Sequence, residues 1–575
     1  MPRIETINVE KRSKLCGQPS TAPQNDEQSS GLANPPANGS SNASSSGSSS
    51  NDSEHTESDF VSAQGDDEAT VAQSLITESD MGSVVSTPVP SSKSNSQNMA
   101  SLSIVSPERA QKAPLPQLPP LTLPSDLSLM DSLVPNKFQS DNADATIEGV
   151  MRDIEHAPLL SAPVIAQHVK DLVPQFGFIG NHRDEAGQAV KLFYNTNVPL
   201  SAFICGVQGS GKSHTTACML ENALIPSKNL GRLEAPASAL VFSYGSWSTG
   251  GAGFSVSEAV HLSRALPKYP GQNVRRITVL VSAHNGAIRK YYEDPSRNIR
   301  VIPFKLNARA LDITGLRALM GIGDKSPPLY MGQVEMVLMK MSSTNEDGRL
   351  DYKSFAKAVQ QIDLNDAQSQ ALKQRLAMLE SFLDLDGKAV EPEFLPGEMT
   401  IMDLSDAFMS SSTACVLFKL GLDRFLESPV KGKMVVLDEA HKYMSDSPGS
   451  KFLADCLYHT ITQQRHLGTR MIISTQEPNV STNLIALCNM TVIHRFSSPT
   501  WYATLKRHIS ALNDDDKTLM QRIEGLETGE ALVYCPSTVL AKNDDGSLVK
   551  PTGRLLKVNI RKRITEDGGE SIMAV

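Results

Sequence analysis

The sequence is poor in aromatic residues, in paired cysteines and in long apolar runs. Aromatic residues make up 5% of the 575 residues, which is few for a chain that folds along its whole length. The seven Cys form no CxxC pair and no Cys/His group at zinc spacing, which argues against a zinc site and against a disulfide framework. Reduced thiols of this kind predict a cytoplasmic or nuclear protein.

Membrane signals are also missing from the sequence. No run approaches the roughly 18 to 20 apolar residues of a membrane span. The first residues, MPRIETINVEKRSK, lack the apolar core of a signal peptide. We therefore expect a soluble intracellular protein with no membrane partner.

The net charge of −9 is concentrated at one end of the chain. Residues 1–140 contain 8 Lys/Arg and 16 Asp/Glu, which leaves 46 basic and 47 acidic residues for the remainder. The remainder is therefore close to neutral. Its charge neither excludes nor predicts a nucleic-acid partner.

Residues 1–140 have the composition of a disordered tail. The stretch GSSNASSSGSSSNDS (39–53) is almost entirely small and polar, and APLPQLPPLTLP (113–124) is rich in proline. Such a chain buries too little apolar area to offset its ordering entropy. The Pro-rich stretch is either a plain linker or a polyproline II ligand for an unknown protein partner.

From about residue 145 the pattern becomes that of an α/β domain. Short apolar or β-branched runs that alternate with helical segments lie at residues 198–205, 237–243, 277–282, 399–404, 434–438, 471–475 and 490–495. This alternation predicts a mostly parallel sheet. We assign its two parts to residues 141–307 and 396–575.

Residues 308–395 interrupt this alternation with helical periodicity. Asn365 or Asp366 can cap a helix on which Leu372, Leu376, Leu379 and Leu383 share one face. The pattern predicts an all-helical insertion in the α/β domain.

The strongest motif is GVQGSGKS at residues 206–213, which fits G-x-x-x-x-G-K-[ST] between a predicted strand and a predicted helix. Glycines let backbone N–H groups converge on phosphate oxygens, and the helix adds its positive end. Lys212 is expected to face ligand and solvent and to neutralise the β- and γ-phosphates of ATP, while the Ser213 hydroxyl is expected to bind Mg²⁺. The nucleotide-binding residues predicted in this way are Gly206, Gln208, Gly209, Ser210, Gly211, Lys212, Ser213 and His214.

Hydrolysis also requires a carboxylate for magnesium and a base for water. The run MVVLDE (434–439) supplies both at the end of an apolar strand. Asp438 is expected to bind Mg²⁺ together with Ser213, and Glu439 to orient and deprotonate the attacking water. The letters DEAH (438–441) spell a helicase box, but only about 135 residues follow, too few for a second RecA-like domain. His441 is expected to lie at the surface or behind the catalytic groups.

A third element is RMIISTQEP (470–478), an apolar strand that ends in Thr475 and Gln476. If this strand lies between the P-loop strand and the Asp438 strand, Gln476 reaches the γ-phosphate. Its amide would then sense phosphate or position water. The alternative is a polar strand end without a role.

Together these segments resemble the HerA/FtsK branch of P-loop ATPases. The segments are GVQGSGKS, VVLDEAHKYM, QQRHLGTRMIISTQEP, LCNMTVIHRF and GLETGEALVY, in this order. They are similar to HerA-like ATPases, to conjugative coupling ATPases and to a group of uncharacterised fungal P-loop proteins, over about residues 195 to 565. The resemblance implies a RecA-like core with an additional strand, ATP and Mg²⁺ as ligands, assembly into a homo-oligomeric ring, and an arginine finger that acts on the neighbouring subunit. Arg465, eleven residues before Gln476, stands where such families carry that finger, and Arg470 and Arg495 are the alternatives.

The sequence departs from this family in three places. The small β-barrel that precedes the P-loop in HerA proteins has no counterpart. The strand after the P-loop helix ends in Ser243 rather than in an acidic residue. No basic DNA-facing segment stands out, because the short run from Arg561 to Arg563 is equally consistent with a solvated strand end.

Two functions of different classes follow from these motifs. One is a ring-forming ATPase that translocates nucleic acid, with DNA as the candidate polymer. The other is a nucleotide-gated interaction or signalling protein with little or no dependence on DNA, in which ATP orders a surface and the tail recruits partners.

Overall fold

The computed structural model describes residues 143–568, except residues 169, 185, 246–255, 295, 309–310, 312, 321–327, 345–349, 478–479 and 513–517. The predicted tail at residues 1–140 lies outside the described residues. Within the described ranges, no helix combines the length and the apolar character that a membrane span requires.

The described chain is organised around one large mixed sheet. Its strands and those of two small pairs are β1 (Leu159–Ser161), β2 (Phe176–Arg183), β3 (Ala189–Tyr194), β4 (Ser201–Cys205), β5 (Gly231–Arg232), β6 (Ser238–Ser243), β7 (Ile277–Val281), β8 (Ile299–Pro303), β9 (Leu306–Asn307), β10 (Leu383–Asp384), β11 (Met399–Asp403), β12 (Lys433–Leu437), β13 (Thr469–Thr475), β14 (Met490–Ile493), β15 (Glu530–Tyr534), β16 (Ala541–Lys542), β17 (Leu548–Val549) and β18 (Leu556–Ile560). The order across the large sheet is β1-β3-β2-β18-β15-β14-β4-β13-β12-β6-β11-β7-β8, with β5 beside β2.

Helices connect these strands. They are α1 (Ala143–Glu155), α2 (Ala162–His168), α3 (Lys212–Leu224), α4 (Gly286–Tyr292), α5 (Ile313–Leu319), α6 (Tyr330–Thr344), α7 (Tyr352–Gln360), α8 (Asp366–Phe382), α9 (Ser411–Glu427), α10 (Pro448–Thr462), α11 (Gln464–Leu467), α12 (Thr482–Leu487), α13 (Pro499–Lys506) and α14 (Leu519–Glu524). Short 3₁₀ helices occur at Glu258–Ser263, Ala440–Lys442 and Ser510–Leu512.

The strands from β14 to β8 run parallel to one another. The strand that leads into the P-loop, β4, is separated from β12 by β13. This inserted strand is the RecA-like arrangement, and it confirms the predicted α/β fold class. Beyond β14, the strands β15, β18, β2, β3 and β1 pair antiparallel and form a second wing of the sheet.

The sequence of β12 shows why the centre of this sheet is stable. All five of its residues, KMVVL, are buried. Val435 and Leu437 pack in one apolar cluster, while Met434 and Val436 pack in another. A parallel strand covered by helices on both faces needs such a continuous apolar run.

All seven strands predicted from the sequence are present, with ends that differ by up to three residues. The sequence predicts bounds neither for β8 nor for β18 and the other strands of the antiparallel wing, although strands are expected near the C-terminus. Burial is incomplete in β8 and β18: β8 is an edge strand with one fully buried residue, and β18 also has only one. Their apolar patterns are correspondingly weak.

Between β9 and β10, which pair in parallel, the described residues form the four helices α5 to α8 and no strand. Asn365 caps α8 and shares a reciprocal capping box with Gln368. Leu372, Leu376 and Leu379 are buried in an apolar cluster of these helices, as their spacing indicates. Leu383 packs in the same cluster but lies beyond the end of α8, in β10, which corrects its predicted place on the helix. The domain boundaries at residues 308 and 395 stay a prediction.

Candidate nucleotide-binding and active site

The P-loop, residues 206–213, joins β4 to α3 in a conformation that only glycine adopts readily. Gly206, Gly209 and Gly211 have φ values of 154°, 70° and 109°, in the region that L-residues with a side chain avoid. A Cβ atom at Gly206 would lie 2.6 Å from the Ser210 hydroxyl oxygen. That hydroxyl donates to the Val207 carbonyl at 2.7 Å. The loop is therefore folded tightly on itself, and Gln208 is exposed at its tip.

Lys212 does not face solvent, contrary to the expectation from the sequence. Its side chain is 3% exposed, and its Nζ donates to the Val207 carbonyl at 3.1 Å. Burial lowers the pKa of Lys212, while the charges of Glu439 and Asp438 oppose the shift. The amino group thus lies over the loop within the field of both carboxylates.

A buried histidine supports the P-loop from behind. His494 follows β14 and is 0% exposed; its ring lies 3.4 Å from where a Cβ atom of Gly211 would stand. Its Nδ1 lies 3.0 Å from the Glu530 carbonyl and its Nε2 lies 2.9 Å from the Thr215 hydroxyl. A carbonyl only accepts, so Nδ1 carries the proton and Nε2 accepts from Thr215. Burial lowers the pKa of His494 to about 4, so the ring is neutral.

Asp438 follows β12 at the edge of the sheet where the P-loop lies. Burial raises the pKa of its carboxyl group to about 7, and the charge of Glu439 adds to this rise. Asp438 lines a small cavity together with Ser213 and Glu258. A hydroxyl and a carboxylate are hard oxygen donors of the kind that Mg²⁺ prefers, and a cation would offset the buried charge. These two groups therefore fit the predicted magnesium site. The described residues contain no cluster of three or more Asp, Glu, His or Cys side chains that could hold a metal ion.

Glu439 has an unusual backbone conformation. Its φ is 47°, and it is the one non-glycine residue with positive φ among the described residues. A strained backbone of this kind costs on the order of 1–3 kcal/mol and persists where surrounding contacts enforce it. The Glu439 carboxylate accepts from the Gln476 side-chain amide at 2.9 Å and lies 3.3 Å from Nδ1 of His441. The bond from Gln476 therefore fixes its orientation, because His441 Nδ1 accepts from the Gln476 backbone N–H and has no proton to donate to the carboxylate.

Gln476 lies directly after β13, between the P-loop strand and β12 as the sequence predicts. Its side-chain amide is bound to Glu439, and its backbone N–H donates to His441 Nδ1 at 3.4 Å. His441 is partly buried, with 18% of its side chain exposed. It therefore belongs behind the catalytic groups, which is one of the two positions expected for it. A direct role of Gln476 at the γ-phosphate stays a prediction.

His214 is engaged with the C-terminal segment rather than with the loop. Its Nε2 lies 2.8 Å from the Arg561 carbonyl and its Nδ1 lies 3.5 Å from the Asp567 carboxylate. Burial disfavours its charged form, but the bonds to Asp567, Cys218 and Arg561 raise the pKa of His214 to about 10. With both ring nitrogens occupied, His214 is left with its backbone N–H for a contact to nucleotide.

The C-terminal run of basic residues is neither DNA-facing nor a solvated strand end, which corrects both interpretations. Arg561 is 8% exposed and Arg563 is 4% exposed. Arg561 forms an ion pair of 2.6 Å with Glu221, which is fully buried on α3. Glu221 also accepts from the backbone N–H groups of Ile564 and Thr565. The segment at residues 561–565 is therefore bound through Glu221 to α3, the helix that follows the P-loop. Lys562 alone is exposed.

The three candidate finger arginines lie in different places. Arg465 is exposed on the short helix α11. Arg470 is buried near the start of β13 and donates to backbone carbonyls, so it cannot reach a neighbouring subunit. Arg495 is exposed beside the P-loop of its own chain, where its carbonyl accepts from the Val207 N–H at 3.0 Å. Arg465 and Arg495 therefore both have the exposure that a finger needs.

No protein-family profile and no curated protein matches the chain. Among solved structures, it is similar to VirB4 of Thermoanaerobacter pseudethanolicus, with a TM-score of 0.39 and 11% identity over 67% of this chain and 96% of that one. It is similar to the plasmid coupling protein TrwB in complex with ADPNP, with a TM-score of 0.36 and 12% identity over 64% of this chain and 86% of that one. It is also similar to the genome packaging NTPase B204 of Sulfolobus turreted icosahedral virus 2 in complex with ATP-gammaS, with a TM-score of 0.23 and 10% identity over 64% of this chain and 98% of that one. All three TM-scores are low, and the function of this chain has to be argued from its own residues.

Sequence reasoning overlooked two supports of the site. His494 lies two residues before the end of the segment LCNMTVIHRF, and the signal that could have indicated it is a histidine directly after a fully buried strand. Glu221 lies mid-helix in a run that is otherwise buried, and a carboxylate at such a position requires a cationic partner. Both signals are local, but the partners are distant in the chain: Thr215 is 279 residues from His494, and Arg561 is 340 residues from Glu221.

Proposed function

We propose that this chain is a magnesium-dependent ATPase of the HerA/FtsK type that works as a ring. The observation that carries this proposal is the convergence at one sheet edge of Lys212, Asp438 and Glu439, with the Glu439 carboxylate held at 2.9 Å by Gln476. These groups come from the ends of β4, β12 and β13, which are neighbours in the sheet. A structural role alone gives no reason for the strained backbone at Glu439.

Nucleotide binding is assigned to the P-loop. Its glycines keep the space above the backbone N–H groups free of side chains, and α3 contributes the positive end of its dipole. Lys212 Nζ, bound to the Val207 carbonyl, exchanges this neutral partner for the β- and γ-phosphates. A charge-assisted bond is stronger than a bond to a carbonyl, which favours the exchange.

Ser213 and Asp438 are assigned to magnesium. When bound with ATP, Mg²⁺ neutralises charge on the β- and γ-phosphates. The protein supplies one hydroxyl and one carboxylate, and waters and phosphate oxygens complete such a coordination shell. Burial and the charge of Glu439 raise the pKa of Asp438 although Lys442 and Lys212 oppose this rise, and a cation bound there would favour the charged carboxylate further.

Glu439 is assigned as the general base. Its carboxylate accepts one hydrogen bond from Gln476 and lies beside His441, which leaves acceptor capacity for a water molecule. Gln476 acts as a positioning residue in this assignment, because its side-chain amide holds the carboxylate.

Assembly into a ring would complete the site. Arg465 precedes β13, a strand of seven residues that is about 20 Å long, whereas the P-loop lies at the opposite end of the same strand. Arg465 therefore cannot serve its own P-loop. In this proposal its exposed side chain acts on a neighbouring subunit, where it would stabilise the charge of the transferring phosphoryl group; the alternative is a solvated charge.

The deciding experiment is ATP hydrolysis by the full-length protein, measured with Mg²⁺ or EDTA and with or without DNA, alongside the mass of the protein in solution. We expect magnesium-dependent hydrolysis that increases with oligomer formation. Stimulation by DNA that weakens as salt rises supports translocation. Absence of hydrolysis in a folded oligomer that binds ATP would contradict the proposal.

A second candidate, the nucleotide-gated interaction protein, is favoured by one specific feature. On α6, Met336 and Met339 are 69% and 63% exposed, and the preceding Leu329 is 96% exposed. Flexible methionine side chains are frequent on surfaces that bind other proteins. Hydrolysis that is indifferent to DNA, together with nucleotide-dependent capture of a protein partner by this face, would favour this candidate over the translocase.

A further inference from the structure

A cavity of about 700 Å³ lies at the sheet edge opposite the P-loop. Its floor is formed by the residues that directly precede the parallel strands β6, β12 and β13, namely Ala237, Gly432 and Gly468. The volume falls within the range of about 300–1,000 Å³ that is typical of small-molecule sites. Because it is at the amino ends of the strands, it is separate from the nucleotide site.

The walls of this cavity, here called the amino-edge cavity, are mainly apolar. They include Leu233, Pro236, Phe394, Leu395, Pro429 and Val430. Gln175 is the largest polar side chain of neutral charge in the lining, and its amide is already used: it donates to the Thr196 carbonyl and accepts from the Ala235 N–H. The walls therefore favour an apolar ligand body.

A buried arginine gives the cavity its charge. Arg470 is 6% exposed, and its two terminal nitrogens donate to the carbonyls of Thr196 and Gly468 at 2.7 and 3.2 Å. Its Nε has no hydrogen-bond partner among the described residues. Tyr194 is close enough to Arg470 for the two groups to interact electrostatically. Its hydroxyl does not supply a negative charge to the arginine, because burial raises the pKa of this hydroxyl above its usual value. A buried cation with no anionic partner is unfavourable.

The remaining charges of the lining have the same sign. Lys431 is exposed at the cavity, and the lining contains no Asp or Glu. The nearby chain carries Glu234 and Glu393, but these pair with Arg232 and Arg276 respectively. The cavity thus combines an apolar wall with two cations and no carboxylate.

We propose that the amino-edge cavity binds an amphiphilic anion, that is, an acid group attached to an apolar body. The acid group, a carboxylate or a phosphate ester, lies between Arg470 and Lys431 and supplies the negative charge that compensates the Arg470 guanidinium. The apolar body lies against the proline and leucine walls. This site is independent of ATP hydrolysis and uses none of the residues assigned to it.

The test uses the full-length protein and three ten-carbon probes: decanoate, decyl phosphate and the neutral decanol. Each is titrated against protein-bound 8-anilinonaphthalene-1-sulfonate, whose fluorescence reports displacement, in the presence of excess ATP. We expect one or both anions to displace the dye at a concentration about tenfold or more below that of decanol. The order of decanoate and decyl phosphate identifies the preferred acid group. Equal potency of decanol, or loss of the dye signal when the excess ATP is first added, would overturn the proposal.

Variants tie the binding to the cavity. Lys431→Glu reverses one of the two charges and is expected to weaken anion binding about tenfold or more, with decanol unchanged. Lys373→Glu, an exposed position on α8 away from the cavity, is the charge-matched control and is expected to bind like the wild type. Ala235→Trp, at an exposed lining position, is expected to block all three probes without disturbing the core. Equal effects of Lys431→Glu and Lys373→Glu, or unchanged binding in Ala235→Trp, would refute the site. These variants avoid Arg470, whose loss would also break two backbone contacts.

Discussion

The neutral histidine behind the P-loop makes the stability of the protein sensitive to acid. His494 titrates near pH 6.5 in an unfolded chain, but burial lowers its pKa to about 4 in the folded protein. As the pH falls below 6.5, His494 therefore binds a proton in the unfolded state but not yet in the folded state. Stability from this residue is complete above pH 6.5 and is lost between pH 6.5 and 4.

The magnitude follows from the difference between the two pKa values. A difference of about 2.5 pH units corresponds to roughly 3 kcal/mol when the loss is complete, and to roughly 2 kcal/mol at pH 5. In a domain of this size such a loss lowers the unfolding temperature by a few degrees. Protonation of His494 in the folded protein would also remove the acceptor that Thr215 uses, so we expect affinity for an ATP analogue to fall only as the pH approaches 4.

The assay compares the thermal unfolding of the wild type with that of His494→Gln at pH 7.5 and 5.0, without nucleotide. His494→Gln is expected to be less stable at pH 7.5 but to lose a few degrees less on acidification. Other titrating groups act equally in both proteins and cancel. His459→Gln, at an exposed position on α10, is the control and should keep the full pH dependence of the wild type. If wild type and His494→Gln respond equally to pH, the reasoning is wrong.

Three further predictions address the proposed reaction. Lys212→Ala is expected to weaken the binding of an ATP analogue roughly 10- to 100-fold with little change in unfolding temperature; unchanged affinity in a folded variant would contradict its role. Glu439→Gln should retain bound Mg·ATP and slow hydrolysis about 10²- to 10⁴-fold, whereas Asp438→Asn should raise the magnesium concentration required; normal turnover by Glu439→Gln would exclude it as the base. Arg465→Ala and Glu439→Gln subunits should each be nearly inactive alone and regain part of the activity when mixed, because a finger contributes about 10³- to 10⁵-fold. No recovery in verified mixed oligomers, or full activity of monomeric Arg465→Ala, would exclude action between subunits.

The parts of the fold and site that the sequence predicts are those encoded over short stretches. The P-loop is specified by glycines whose positive φ values leave few alternatives. The strand β12 is specified by an unbroken apolar run, and such runs occur where a strand is covered on both faces. The order β4-β13-β12 follows from these motifs because RecA-like folds place the third motif between the first two.

Features that depend on distant partners could not be predicted in the same way. The local sequence around Arg561 is typical of an exposed charged residue. Only the fold brings Arg561 to Glu221, 340 residues away in the chain. The burial of Lys212 has a similar origin, since it depends on how the loop closes over Val207. The antiparallel wing escaped prediction because its strands are partly exposed and their apolar pattern is irregular.

The strained residue at the end of β12 explains how two adjacent carboxylates can serve one reaction. Successive residues of an extended strand point to opposite faces, so Asp438 and Glu439 would diverge if the strand simply continued. The left-handed turn at Glu439 breaks this alternation. It directs the second carboxylate across the edge of the sheet toward β13, where Gln476 binds it at 2.9 Å. Asp438 stays beside Ser213. In the proposed reaction the strained backbone would thus separate a group for the metal from a group for water while keeping both within one site, as hydrolysis would require.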